Sequence, residues 1–280
     1  MAKKFYKSTI ESTMVGPLYA RAKYSALYPE TLKDPLAETL LKQIIEMYPD
    51  QQEKFAMLEE FMDEFTSINF LFRAKKFDDE IREFIKIHPF ATIINLGCGL
   101  DTSNLRIGDI NLKWFQIDLP DGISLREQLI PPTLNSKDIA KSILDYRWFE
   151  EVDFNKESGV LILAAGLLNY FEEVQLKDLC DNLANYFKGG ILLFDLPSVL
   201  LKKIINRKYK NLGFQGTDLI FGLGNPKKIL KWSNKIKTMS CTIFYKDLDL
   251  NPKWTIRTRF LLKLFRTLKF YKFVKLEFKS

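Results

Sequence analysis

The chain has 280 residues, of which 46% are hydrophobic and 14% aromatic; that is enough to bury one large α/β core with a cap, and it excludes disordered, collagen-like and low-complexity classes. The net charge of +7 averages two unlike parts: from Leu200 onward there are 20 Lys and Arg against 4 Asp and Glu, and before it 22 against 31. Three well-separated cysteines (Cys98, Cys180, Cys241) and a single histidine, His88, argue against a disulfide framework, a metal site and a Ser/His/Asp triad.

The start, MetAlaLysLysPheTyr, lacks the apolar stretch of a signal peptide, and no apolar run reaches the ~18 residues of a membrane span. A soluble cytoplasmic protein with no membrane partner is therefore expected. From residue 18 to 90 the pattern is helical. Asp34 reads as the N-cap and Pro35 as the first position of one helix, with further helices over 55–65 and 77–87. Residues 1–88 form a helical lead-in or cap, and residues 89–280 form the core. There, short β-branched and apolar runs predict strands at 91–96, 113–120, 159–165 and 191–196, with a shorter one ending near Asp145 and a helix over 172–186. Gly213, Gly216, Gly222 and Gly224 mark 197–225 as a loop at the ligand-binding end of the sheet, within an insertion near 197–236. A helix over 226–236, a strand over 241–247, a helix over 254–268 and a closing strand over 273–278 complete the chain. The expected fold is Rossmann-like: a seven-stranded, mostly parallel sheet with one antiparallel member and helices on both faces.

The most informative segment is IleIleAsnLeuGlyCysGlyLeuAspThr, residues 93–102. Gly97 and Gly99 let the backbone turn sharply after a strand and approach a ligand closely. Asp118 ends the next strand about twenty residues later, where a carboxylate can accept from both ribose hydroxyls. A dinucleotide fingerprint wants a third small residue where Thr102 stands, and Asp101 would bring negative charge beside a pyrophosphate, which disfavours NAD. S-adenosylmethionine has no phosphate and carries a sulfonium and an ammonium, so acidic neighbours suit it. Its one carboxylate wants a basic partner, for which Arg73 is the candidate.

Five segments in order resemble the leucine carboxyl methyltransferase family of S-adenosylmethionine-dependent O-methyltransferases, which includes bacterial polyketide enzymes of the tetracenomycin type. They are ArgAlaLysTyr at 21–24 with AspProLeuAla at 34–37, PheArgAlaLysLysPheAspAsp at 72–79, AsnLeuGlyCysGlyLeuAspThr at 95–102, PheGlnIleAspLeuPro at 115–120, and AlaAlaGlyLeuLeuAsnTyrPhe at 164–171. The resemblance implies a class I methyltransferase fold. It places Lys23 and Arg73 at the methionine carboxylate, Gly97 at the methionine backbone with Gly99 in the same cofactor loop, and Asp118 on the ribose. It also puts Leu144 and Asp145 beside the adenine and Ala164 and Ala165 along the cofactor; by position, Tyr170 reads either as a border of the acceptor or as a core aromatic, and Arg21 as substrate-adjacent. Two departures stand out. Ala165 replaces the usual Glu, removing a carboxylate that would face the cofactor, and Ser103 replaces the usual Arg.

Methyl transfer from a sulfonium is an in-line displacement that needs proximity and orientation rather than a covalent nucleophile. A carboxylate acceptor, ionised at neutral pH, needs no base either, which fits a chain with one histidine. The expected function is O-methylation of a small-molecule carboxylate, with no nucleic-acid partner. The alternatives are a non-catalytic cofactor-binding or interaction protein, suggested by Ala165, and a nucleic-acid methyltransferase, suggested by the basic C-terminal part. Arg21, Arg106 and Arg126 read as surface or helix-end charges, or as guides for an anionic acceptor. The C-terminal lysines read as a solvated face.

Overall fold

The computed structural model describes residues 9–211 and 218–280, with side chains from Met14 onward; the expected loop glycines Gly213 and Gly216 lie outside the described residues. Four helices come first: α1 (Thr9–Leu27), α2 (Pro35–Met47), α3 (Gln52–Phe61) and α4 (Glu64–Ile87). Pro35 opens α2, where its fixed φ suits the first turn. Asp34 precedes it but makes no capping bond, because its Oδ2 accepts from Arg21 Nε and Thr102 Oγ1 instead. The helices expected over 55–65 and 77–87 are divided differently: the chain breaks at Met62 and Asp63, and one 24-residue helix then runs on to Ile87. Asp63 caps it by accepting from Thr66 N at 2.8 Å. Ser67 and Asn69, which interrupt the apolar pattern, satisfy their side chains on the backbone oxygens of Met62 and Phe65.

The alternating part follows as β1 (Thr92–Leu96), α5 (Ser103–Ile107), β2 (Lys113–Asp118), α6 (Pro120–Leu129), β3 (Ser136–Ala140), β4 (Val160–Ala164), α7 (Glu173–Tyr186), β5 (Ile191–Pro197), α8 (Val199–Asn211), β6 (Ile236–Ile243), α9 (Ile256–Thr267) and β7 (Tyr271–Phe278). The seven strands lie in the order β3-β2-β1-β4-β5-β7-β6. Only β7 is reversed, pairing antiparallel with β5 and β6. Every residue of β1 and β4 is buried, as expected of strands covered on both faces. One apolar cluster packs α1, α2 and α4 on one side of the sheet, and a second packs α7 and the 3₁₀ turn Tyr146–Glu151 on the other.

Several boundaries differ from the sequence reading. The third strand ends at Ala140, not near Asp145, which caps the following 3₁₀ turn. Residues 197–225 hold the 13-residue helix α8 rather than loop throughout, the expected helix over 226–236 is the 3₁₀ turn Pro226–Lys231, and the strand over 241–247 is β6, which begins five residues earlier. His88 closes α4 with its ring against Phe84 and precedes β1, at the end of the sheet opposite the strands' carboxyl termini. All three cysteines are free. Among the described residues no helix is long and apolar enough to cross a membrane.

Candidate functional site

Strand order reverses between β1 and β4, and a crevice beyond the carboxyl ends of strands is where open α/β sheets bind ligands. There lies a cavity of about 730 Å³, with the glycine loop at one end and an aromatic wall at the other. Gly97 and Gly99 have φ of +62° and +47°, in the left-handed region that disfavours side chains. A Cβ on Gly97 would lie 2.6 Å from Leu167 Cδ1, and one on Gly99 would lie 3.0 Å from Met14 Cγ. The loop is thus threaded between the segment after β4 and helix α1. Asp118, 8% exposed, accepts from Gly99 N and Leu119 N, both at 2.7 Å. Burial raises its pKa and those two N–H donors oppose the rise. Each carboxylate oxygen retains further acceptor capacity, and the side chain lines the cavity.

The arginines expected at the surface are instead buried supports of this loop. Arg21 Nη2 donates to Leu100 O at 2.6 Å while its Nε pairs with Asp34 at 2.8 Å. Arg126 Nη1 donates to Gly99 O and Asp101 O. Arg106 takes Asp78 in a two-pronged grip (2.8 and 2.9 Å), Asp101 at 3.1 Å and Asp34 at 3.3 Å. Position 103, where the resemblance expects Arg, holds a serine that donates to Asp101 Oδ2, and Arg106 supplies the guanidinium to Asp101 from three residues further on. Burial alone would raise the Asp101 carboxyl, but the charges of Arg106 and Arg21 outweigh it and hold it below the ordinary range. Charges this deep are tolerated only when paired.

At the other end, Ala165 lines the cavity and Gly166 follows with φ +64°. Gly166 N donates to Asp195 Oδ1 at 2.6 Å. Asp195 Oδ2, fully buried, has no hydrogen-bond partner and faces Arg73 Nη1 at 3.8 Å. A carboxylate is therefore present one strand over from the missing Glu. Arg73 also stacks on Phe70, 4.7 Å from the ring centre. Beyond it Phe61, Phe65, Tyr209, Phe244, Tyr245 and Phe265 form the aromatic wall. Burial raises the phenols of Tyr170, Tyr209 and Tyr245, so they stay neutral at ordinary pH.

Of the residues singled out in the sequence, Arg21, Arg73, Gly97, Gly99, Asp118, Ala165 and Tyr170 line the cavity. Lys23, Leu144, Asp145 and Ala164 do not. Lys23 sits on the outer side of α1 with its ammonium on Glu59 and Tyr19 Oη. Asp145 is engaged by Arg147 at 2.6 and 2.8 Å, and Ala164 is sealed inside β4. Ser142 and Ile143, just before Leu144, line the cavity in its stead, as does Asn169, whose buried Oδ1 has no partner. Asn169 lies inside the 164–171 motif, so the signal was present; nothing local marks Ser142. Among the described residues no group of three metal-ligating side chains gathers.

Residues 14–184 match the leucine carboxyl methyltransferase family. Over 223 residues the chain is 28% identical to the tetracenomycin polyketide synthesis O-methyltransferase TcmP of Streptomyces glaucescens, covering 79% of this chain and 77% of that protein. It is 27% identical over 234 residues to the S-adenosyl-L-methionine-dependent methyltransferase dpfgK of Gibberella zeae, covering 78% and 77%. Among solved structures, a candidate methyltransferase of Thermobifida fusca YX superposes over 93% of this chain and 94% of its own, with a TM-score of 0.54 at 12% identity. A DUF574 family protein of Streptomyces avermitilis does so over 94% and 97%, with a TM-score of 0.55 at 10% identity. These two likenesses concern the fold.

Proposed function

The chain belongs to the leucine carboxyl methyltransferase family and is an S-adenosylmethionine-dependent methyltransferase; from that premise we propose that it methylates an oxygen of a small-molecule acceptor, and that this oxygen belongs to a carboxylate. The observation that carries the reading is a single cavity joining the glycine loop and Asp118 to an aromatic wall. The residues present fit the cofactor: two cavity-lining glycines at positive φ where a Cβ would strike Leu167 or Met14, a pinned carboxylate at the end of β2, and a guanidinium with no closer anion than 3.8 Å. In this reading Asp118 holds the ribose, Gly97 and Gly99 approach the methionine portion, Arg73 takes its carboxylate, and Ser142 and Ile143 flank the adenine. When bound, the cofactor supplies an electrophilic methyl group on a sulfonium.

The chain's own contribution is then positioning and exclusion of water, worth up to ~7–11 kcal/mol in good cases. The aromatic wall orients an apolar, flat acceptor. Its tyrosines are held protonated by burial and the only histidine lies at the far end of the sheet, so neither serves the acceptor as a base. A carboxylate needs none. TcmP, by its name, acts in polyketide synthesis, and an aromatic acid of that kind suits this cavity. The competing reading, a non-catalytic cofactor-binding protein, rests on Ala165.

Titration calorimetry with S-adenosylmethionine and S-adenosylhomocysteine should show binding, weakened by about 1–3 kcal/mol in Asp118→Ala. Unchanged affinity in that variant would remove Asp118 from the site. Ala165→Glu should tighten S-adenosylmethionine by about 1 kcal/mol, since the new carboxylate meets the cationic end of the cofactor; looser binding would mean that it overpacks the site. Incubation with methyl-labelled cofactor and a panel of aromatic acids and phenols tests the acceptor. Label released by mild alkali marks an ester and a carboxylate acceptor, whereas alkali-stable label marks an ether and overturns the carboxylate reading.

A further inference from the structure

Helices α8 and α9 wall the outer part of the cavity through Leu201, Ile204, Ile205 and Phe265. Between them they hold nine Lys and Arg and no Asp or Glu. The start of α8 adjoins the end of α9, where Ser198 N donates to Phe270 O, and towards their other ends Lys208 on Phe61 and Arg257 on Asp63 meet the same corner between α3 and α4. At that end Asp63 is engaged by Arg257 and Glu64 by Thr255, and the exposed Asp218 stands next to Leu219, which bonds Asn206 of α8. Along α9, Ile256, Phe260, Leu264 and Leu268 recur every fourth residue and form one outward stripe. All four are exposed, Ile256 at 79% and Phe260 at 64%. Arg257 and Lys263, both exposed, border the stripe, with Arg259 and Arg266 half-buried behind it. On α8, Val199, Leu200 and Ile204 are exposed beside Lys203, Arg207 and Lys210. A merely solvated basic face accounts for the charges but not for the apolar stripe between them.

We propose that the α8–α9 face docks on an anionic lipid bilayer, the stripe lying at the acyl boundary and the cations among the headgroups. Apolar residues on one side of a helix with Lys and Arg along its flanks are the pattern of interfacial helices. A second copy of this face would bring like charge against like charge. Protein interfaces deplete lysine, and this face presents Lys203, Lys210 and Lys263, all exposed, while Lys202 and Lys208 turn to Ile220 O and Phe61. Nucleic acid would meet the cations but leave Phe260 and Leu264 in water. Because the same helices wall the cavity, an amphipathic acid seated at the bilayer surface reaches the site without leaving the membrane boundary, a route that rests on the methyl-transfer reading, as the docking itself does not.

The test is flotation of the full chain with vesicles of phosphatidylcholine alone or with about a third phosphatidylglycerol, at about 0.15 M salt. The protein should float with the anionic vesicles and not with the neutral ones. Phe260→Ser with Leu264→Ser, both on the surface, should lower the bound fraction about tenfold, with an unchanged melting curve showing that the fold is intact. No flotation, equal flotation with both vesicles, or full retention in the double variant overturns the proposal. So does elution of the wild type as a dimer that the double variant dissociates, which would assign the stripe to a second copy. Flotation needs no cofactor, so its failure leaves the methyltransferase reading standing.

Discussion

Arg106→Met is expected to cost about 3–5 kcal/mol of folding stability, the usual penalty for removing one partner of a buried ion pair. The guanidinium side chain is only 4% exposed and serves Asp78, Asp101 and Asp34 at once. Arg21 would still hold Asp34, but Asp78 would keep no partner within bonding distance except through rearrangement. Since a domain's whole stability is about 5–15 kcal/mol, the loss should be plain in urea unfolding at neutral pH. Should the single variant be too unstable to purify, Arg106→Met with Asp78→Asn removes charge on both sides and should recover part of the loss. A cost below about 1 kcal/mol would place Arg106 among ordinary surface charges.

The gap between wild type and Arg106→Met should also narrow in acid. In the wild type, Asp101 is depressed by its arginines, so it contributes stability above its unfolded pKa of about 3.9 that is lost as pH falls through and below that value. In the variant Asp101 and Asp78 lose that cation and burial, which already raises Asp78 in the wild type, then raises both, so the folded state takes up more protons ahead of the unfolded state than the wild type does. Folding of the variant is therefore favoured as pH falls from neutral toward the unfolded value. The variant's proton uptake narrows the gap between about pH 6 and pH 4, and the loss of the Asp101 contribution in the wild type continues the narrowing below about pH 5. A difference independent of pH over that range would mean the loss comes from packing alone.

The sheet was legible because buried parallel strands are continuous apolar runs that end in turn residues. Thr92–Leu96, Val160–Ala164 and Ile191–Pro197 are of this kind. β3, at the sheet edge, reads SerLysAspIleAla with a single fully buried residue, so periodicity could not find it. The glycines of 197–225 masked α8, since all of them lie beyond its end at Asn211. In the site, the glycine loop and Asp118 announce themselves because the backbone conformation and the strand end require those residue types. The arginines that hold the loop do not: Arg21 and Leu100 are 79 positions apart and Arg106 and Asp78 are 28 apart. No local pattern separates such a buried guanidinium from a solvated one. Lys23 shows the converse, a motif residue whose side chain the fold turns outward onto Glu59.

Arg73→Met should weaken S-adenosylmethionine by about 1.5–3 kcal/mol, the worth of a hydrogen bond to a charged group, while leaving adenosine nearly untouched. That split follows from position: Arg73 stands by Gly166 and Asp195, away from the Asp118 end of the cavity. Stability should fall as well, because Asp195 Oδ2, already unpartnered, would lose its neighbouring cation. Gly166→Ala separates the two effects. Its φ of +64° makes alanine cost about 1–2 kcal/mol of stability, and the new Cβ, 2.4 Å from Arg73 Nη1, must push the guanidinium aside. The expected signature is the same selective loss of S-adenosylmethionine over adenosine, with Arg73 still present and able to neutralise Asp195. Adding Asp195→Asn to Arg73→Met should restore melting temperature without restoring affinity for S-adenosylmethionine. Calorimetry with both ligands, beside thermal melts of the variants, decides it: equal losses for adenosine and S-adenosylmethionine would show that Arg73 shapes the cavity as a whole rather than meeting the methionine carboxylate.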